Sequence, residues 1–176
     1  MSATQQNAQA KRTFEVSCAF KVEIGRDRTI DRKECKKTFF AGSAGVYKKK
    51  IGCYVFSLRS NRGSLPYYVG KTTNSFEGEV FGAHKICDHY QRIVKNNKGI
   101  PEITFIVLKQ GKGPTPDATI RELERHLIQM AYSRNSKLSN KQGLPRTRWS
   151  IKGVVEVGKG RPCEDARNFK RLMGYE

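Results

Sequence analysis

Eleven residues near the start of the chain alternate with period two, and this run constrains the fold more than any other feature. Phe14, Val16, Cys18, Phe20, Val22 and Ile24 are apolar, while Glu15, Ser17, Ala19, Lys21 and Glu23 between them are mostly polar. A helix would scatter these apolar groups around its axis. A strand sends successive side chains to opposite faces, so the run predicts a half-buried strand over 14–24. Two further runs, Ile51–Leu58 and Pro66–Val69, are rich in aromatic and β-branched residues. The Gly/Asn/Ser turn at 60–64 joins them, which predicts a β-hairpin. Ile103–Leu108, bounded by Pro101 and the Gly111–Pro114 loop, predicts another strand.

Elsewhere the apolar period changes. Phe76, Val80, Ala83, Cys87, Tyr90 and Val94 recur at steps of three or four, the spacing of one helical face. Gly78 and Gly82 weaken the first half, so the helix is expected from about residue 83. Thr115 and Pro116 suit the N-cap and first position of a later helix, which runs through Leu123, Leu127 and Met130 to about Asn135. Gly153–Val157 reads as a final strand. The expected fold is α+β, a small and mainly antiparallel central sheet flanked by helices. Residues 1–13 read as a disordered tail and 14–50 as a strand extension plus a basic linker, in which Phe39–Gly45 breaks regular structure. Residues 51–142 form the core, and 143–176 a basic C-terminal extension packed on it.

Charge then narrows the partner. The 176 residues hold 34 Lys+Arg against 16 Asp+Glu, a net charge of +18 at pH 7. Such a chain repels itself and attracts polyanions, and nucleic acid is the expected partner. Residues 26–50 carry nine Lys/Arg against three acids, and 137–171 carry ten against three. Segments of this kind grip phosphates without reading sequence. Trp149, flanked by Arg146, Arg148 and Lys152, is read first as a core anchor and second as a platform for an unpaired base. No apolar run is long enough to span a bilayer, and no signal-peptide pattern is visible. Five cysteines at 18, 35, 53, 87 and 163 show no zinc spacing, and a reducing cytoplasm is expected. Cys18 and Cys53 read as small core residues. His84, Cys87 and His89 lie close together but lack a fourth metal ligand nearby. Val69-Gly-Lys-Thr72 imitates the tail of a nucleotide-binding loop, but position 65 is Leu where that loop needs Gly, so no nucleotide cofactor is expected.

The same segment fits a different pattern. Gly52-Cys-Tyr54 opens the first hairpin strand and Tyr68-Val-Gly70 closes the second. Lys85 and His89 follow at i, i+4, then Glu124-Arg-His-Leu127-Ile128, then Leu138-Ser-Asn140. This order resembles the GIY-YIG nuclease superfamily over roughly residues 51–142. Lys85 stands where that family usually carries Arg, which keeps the charge and loses the bidentate fork. A second Gly-Val-Tyr at 45–47 lies farther from Tyr68 and fits less well.

The resemblance implies a metal-dependent endonuclease that hydrolyses nucleic acid, DNA being expected, by direct attack of water. Its catalytic set would be Tyr54, Tyr68, Lys85, His89 and Glu124. Glu124 would hold a divalent metal, Mg²⁺ or Mn²⁺, beside the leaving oxygen. Lys85 or Lys71 would offset charge on the phosphoryl oxygens. Tyr54 becomes a base only where nearby cations favour its phenolate, Tyr68 would orient water or phosphate, and His89 would assist proton transfer. Lys71, His84, Asn140, Arg146, Arg148 and Lys152 are the expected nucleic-acid contacts. The alternatives are a non-catalytic binding module on the same scaffold and an RNA-directed nuclease.

Overall fold

The computed structural model describes residues 12–109, 117–142 and 163–172. Its centre is a four-stranded antiparallel sheet in the order β1-β4-β2-β3. The strands are β1 (Phe14–Lys21), β2 (Gly52–Ser60), β3 (Gly63–Thr72) and β4 (Ile100–Leu108). Helices cover both faces, so the α+β architecture expected from the pattern is the observed one.

The hairpin expected at 51–69 is present, and its strands run longer than the apolar runs alone suggested. Ser60 pairs with Gly63 across Asn61 and Arg62, and Gly63 adopts φ +99°. Strand alternation sends Tyr54, Phe56 and Leu58 to one face and Cys53 and Val55 to the other. The first face is covered by α1 (Arg32–Ala41), α2 (Phe76–Glu79), a π-helical turn (Lys85–Tyr90) and α3 (Gln91–Asn96). Phe20, Phe39, Phe56, Phe76, Phe81, Tyr90 and Phe105 fill that layer. The second face is covered by α4 (Asp117–Arg134), whose Ile120, Ile128 and Ala131 pack on Cys53, Ile106 and Val69. A last helix, α5 (Glu164–Leu172), closes the described chain.

Three expectations require correction. The alternation from Phe14 does not keep one face buried throughout, because the β1–β4 register shifts between Val16 and Ala19. That bulge turns Phe14 toward the α4 layer and Phe20 toward the opposite layer. Val16 is therefore 71% exposed, and Cys18 lies on the surface rather than in the core. Second, the strand ends at Lys21 rather than at Ile24. Third, residues 32–41 are helical. Asp31 caps the helix by accepting from the Glu34 N–H, and Cys35, Phe39 and Phe40 bury its inner side. The high charge of this segment marks an outer face, with Phe39 and Phe40 anchoring the inner one. Residues 1–11 of the expected tail, Thr115, Pro116 and the strand expected at 153–157 lie outside the described residues, as do Arg146, Arg148, Trp149 and Lys152. Among the described residues no helix is long and apolar enough to cross a membrane.

Candidate active site

The two short motifs meet because the hairpin register brings them together. Tyr54 pairs with Gly70 across β2 and β3, and the Tyr54 ring crosses the space where a side chain at 70 would stand. A Cβ on Gly70 would lie 2.4 Å from Tyr54 Cζ. Gly52 adopts φ +141°, and a Cβ there would lie 2.1 Å from the Ile106 carbonyl oxygen on β4. Close packing thus requires glycine at both positions, and at Gly52 the backbone conformation requires it as well.

Between Phe56 and Ser57 the register slips, which leaves Tyr67 as the extra residue of a bulge on β3. Tyr67 and Tyr68 are consequently both buried. Tyr67 donates its hydroxyl to Asn97 Oδ1 at 3.1 Å. Tyr68 faces the turn that follows α2. There the helix widens into π geometry over Lys85–Tyr90, with Ile86 and Tyr90 inward and Lys85 and His89 half-buried beside the tyrosine. A regular α-helix was expected from residue 83. The π turn still keeps the i, i+4 pair on one side, and such turns recur at functional sites.

A pocket of about 390 Å³ opens along the free edge of β3. Tyr68, Lys85, His89, Glu124, Ser139 and Asn140 line it, with His84 at its exposed rim. Lys85 Nζ donates to Tyr68 Oη at 2.6 Å and pairs with Glu79 at 3.0 Å. The His89 ring lies against the Tyr68 ring, with centroids 4.6 Å apart, and its Nδ1 is 2.7 Å from Ser139 Oγ. Arg92 donates to the same Ser139 oxygen at 3.1 Å. Glu124 approaches from α4 and forms no ion pair among the described residues. Lys71 stands on β3 outside the pocket lining, 3.9 Å from Asp117, and its charge reaches Glu124.

Burial and charge set the protonation states. Burial raises Glu124 above the ordinary carboxylate value, and Lys71 and Lys85 offset this only in part. Burial lowers His89, and the charges of Lys85 and Arg92 lower it further, so the imidazole is neutral at neutral pH. Tyr68 is raised by burial, against the opposing hydrogen bond from Lys85. For Lys85 burial acts downward, but Tyr68 and Glu79 outweigh it and the ammonium is held firmly protonated. The resting pair is therefore a neutral phenol and an ammonium.

Tyr54 occupies a different place. It is 0% exposed, lies beneath Tyr68 with ring centroids 6.2 Å apart, and does not line the pocket. Burial drives its hydroxyl well above the ordinary tyrosine value, with Tyr90 adding to the shift. The Tyr54 and Tyr90 hydroxyls face each other without a hydrogen bond of normal geometry, and among the described residues neither makes one elsewhere. Asn140 uses its whole amide on the backbone, accepting from Val69 N–H at 3.0 Å and donating to Val69 C=O at 2.5 Å. Ser139 N–H adds a bond to the Tyr67 carbonyl at 2.7 Å. Residues 139–140 thus stand in for a missing fifth strand at the β3 edge.

Three contributors escaped the sequence reading. Glu79 lies six residues before Lys85, a spacing that marks no shared helical face. Ser139 sits inside the Leu-Ser-Asn segment, where the asparagine drew the attention. Arg92 stands at i+3 from His89, a spacing that a helical reading does expose. Among the described residues no three His, Cys, Asp or Glu side chains gather to hold a metal. A metal here would be held by the single carboxylate of Glu124, with water and substrate oxygens completing its shell. That donor set suits Mg²⁺ or Mn²⁺, which keep several waters. Glu124, half-buried without an ion pair, has the charge such an ion needs. No family model, curated protein or solved structure matches the chain.

Proposed function

We propose that the β3-edge pocket is the active site of a metal-dependent endonuclease acting on DNA, of the GIY-YIG kind. One observation carries the reading: Tyr68, Lys85, His89 and Glu124, drawn from β3, the π turn and α4, line one pocket. The net charge of +18 at pH 7 supplies the attraction for a polyanionic substrate.

The side chains divide the work. Lys85 fixes the Tyr68 hydroxyl from one side, which leaves the phenolic proton free to position a water or a phosphoryl oxygen. Ser139 Oγ can accept from both Arg92 and His89 Nδ1–H, so His89 Nε2 presents its lone pair. A water attacks phosphorus and its proton passes to His89 Nε2, while the bond from phosphorus to the 3′ oxygen breaks and that oxygen keeps the electron pair and takes a proton from solvent water. Glu124 would hold the metal, which when bound supplies Lewis-acid charge at the leaving oxygen. Tyr54 supports Tyr68 from below and takes no proton.

A second reading, a module that binds nucleic acid without cleaving it, draws on the pairing of Lys85 with Glu79 at 3.0 Å. That carboxylate already answers the charge a phosphate would seek. Supercoiled-plasmid cleavage with Mg²⁺ or Mn²⁺ separates the two. Metal-dependent nicking, reduced about 10²- to 10⁴-fold by His89→Asn, is the expected result. Retardation of the plasmid without any nicking by the intact protein would favour the binding module, and matched RNA would then be the next substrate.

A further inference from the structure

A second concave surface lies along α1, and the proposed chemistry makes no use of it. The outer face of α1 carries Arg32, Lys33, Lys36 and Lys37, which with Lys48 and Glu77 border a groove of about 560 Å³. Five cations against one acid leave a net charge of +4. Arg32 and Lys36, and likewise Lys33 and Lys37, are like-charged pairs at i, i+4, an arrangement that works against the helix unless an anion answers it. None of Lys33, Lys36 and Lys37 has an ion-pair partner among the described residues. The helix is nevertheless firmly placed. Phe39 and Phe40 are buried against Phe81, with ring centroids 5.2 and 6.1 Å away, and Arg32 Nε donates to the Phe81 carbonyl at 3.1 Å.

The groove and the pocket share one short element. On α2, Glu77 pairs with Lys48 at the groove, and Glu79 pairs with Lys85 at the pocket. Phe81, which Arg32 holds, precedes His84 at the pocket rim by three residues. The two surfaces are thus linked through α2 and the residues that follow it. The groove floor is Phe40 and Ala41, with no amide or free hydroxyl to read a base edge. Such a surface suits a regular run of phosphates and not a particular sequence.

We propose that the α1 groove binds the phosphodiester backbone of duplex DNA beside the site of cleavage, holding the substrate in register with the pocket. The proposal extends the nuclease reading and shares its substrate, yet it can be tested without cleavage. Lys33, Lys36 and Lys37 are replaced together by Ala, and binding of a fluorescein-labelled duplex is followed by anisotropy across a salt series. At roughly 0.9 per phosphate contact, the loss of three contacts lowers the slope of log K against log salt by about 2.7. The matching triple replacement by Arg keeps the charge and restores the slope. Circular dichroism of both variants checks that α1 remains folded.

An unchanged slope in the folded Ala variant would overturn the proposal. So would a loss confined to phosphatidylserine vesicles with duplex binding intact, since the groove would then serve a lipid surface. Glu124→Ala, measured in parallel, keeps the two claims apart. If the intact protein fails to cleave but the Ala variant loses slope, the groove stands and the nuclease reading falls. If the intact protein cleaves and the slope is unchanged, the groove falls alone.

Discussion

At Gly70 the account turns on a few ångströms. The Tyr54 ring occupies the volume of any side chain at 70, so Gly70→Ala forces either the ring or β3 to move. Overpacking of this kind costs about 1–3 kcal/mol, and urea unfolding should show the free energy of unfolding falling by that amount. The hydroxyl of Tyr54 points the other way energetically, being buried with only the Tyr90 hydroxyl near it and no hydrogen bond of normal geometry among the described residues. Tyr54→Phe removes an unmet polar group and should leave stability unchanged or raised by about 1 kcal/mol. A marked loss of stability would mean that the hydroxyl has a partner. The titrating groups of the pocket give a second residue-scale prediction. Glu124 must be ionised to hold a metal, and its value lies above 4.5; His89 must be neutral to accept a proton, and its value lies below 6.5. Both conditions make cleavage rise with pH: the His89 step has its midpoint below 6.5, and the Glu124 step has its midpoint above 4.5. Tyr68 and Lys85 are both raised above their ordinary values of 10.0 and 10.5, so no alkaline limb follows before that range. A histidine step with its midpoint above 6.5 would assign the proton to another group.

Among the elements, β3 depends on a side chain for its outer edge. Asn140 satisfies the Val69 N–H and C=O that a fifth strand would otherwise meet. Asn140→Ala leaves both groups without that partner, at a cost of about 1–3 kcal/mol read by thermal or urea unfolding. Binding of duplex DNA should survive, because the amide at the pocket wall is engaged with the Val69 backbone; lost binding in a stable variant would restore Asn140 as a substrate contact. The hairpin was readable from sequence because its aromatic and β-branched runs flank a turn of the right composition. The later helix was readable from its spacing of three and four. The α1 helix was not, since its charged residues outnumber its apolar ones and Phe39 and Phe40 are adjacent rather than spaced. The β1 bulge was hidden as well, because an inserted residue leaves the period-two pattern intact while turning half of it over. Within the site, Tyr68, Lys85, His89 and Glu124 were legible as types at spacings. That Tyr54 lies sealed beneath Tyr68, and that Glu79 holds Lys85, depends on packing between elements far apart in the chain.

For the whole molecule, attraction and chemistry are carried by different residues. The excess of 34 basic over 16 acidic residues is spread along the chain and draws a polyanion from any side. The proposed cleavage, by contrast, rests on one pocket at one sheet edge. Removing a single carboxylate should therefore leave affinity almost untouched while stopping the reaction. The direct test compares Glu124→Gln with the intact protein, measuring cleavage of supercoiled plasmid in Mg²⁺ or Mn²⁺ and affinity for the same DNA in matched salt. The expected result is metal-dependent cleavage by the intact protein, loss of cleavage in the variant, and equal or slightly tighter binding. Undiminished cleavage by Glu124→Gln, or none by the intact protein in either metal, would contradict the assignment of this pocket as a nuclease site.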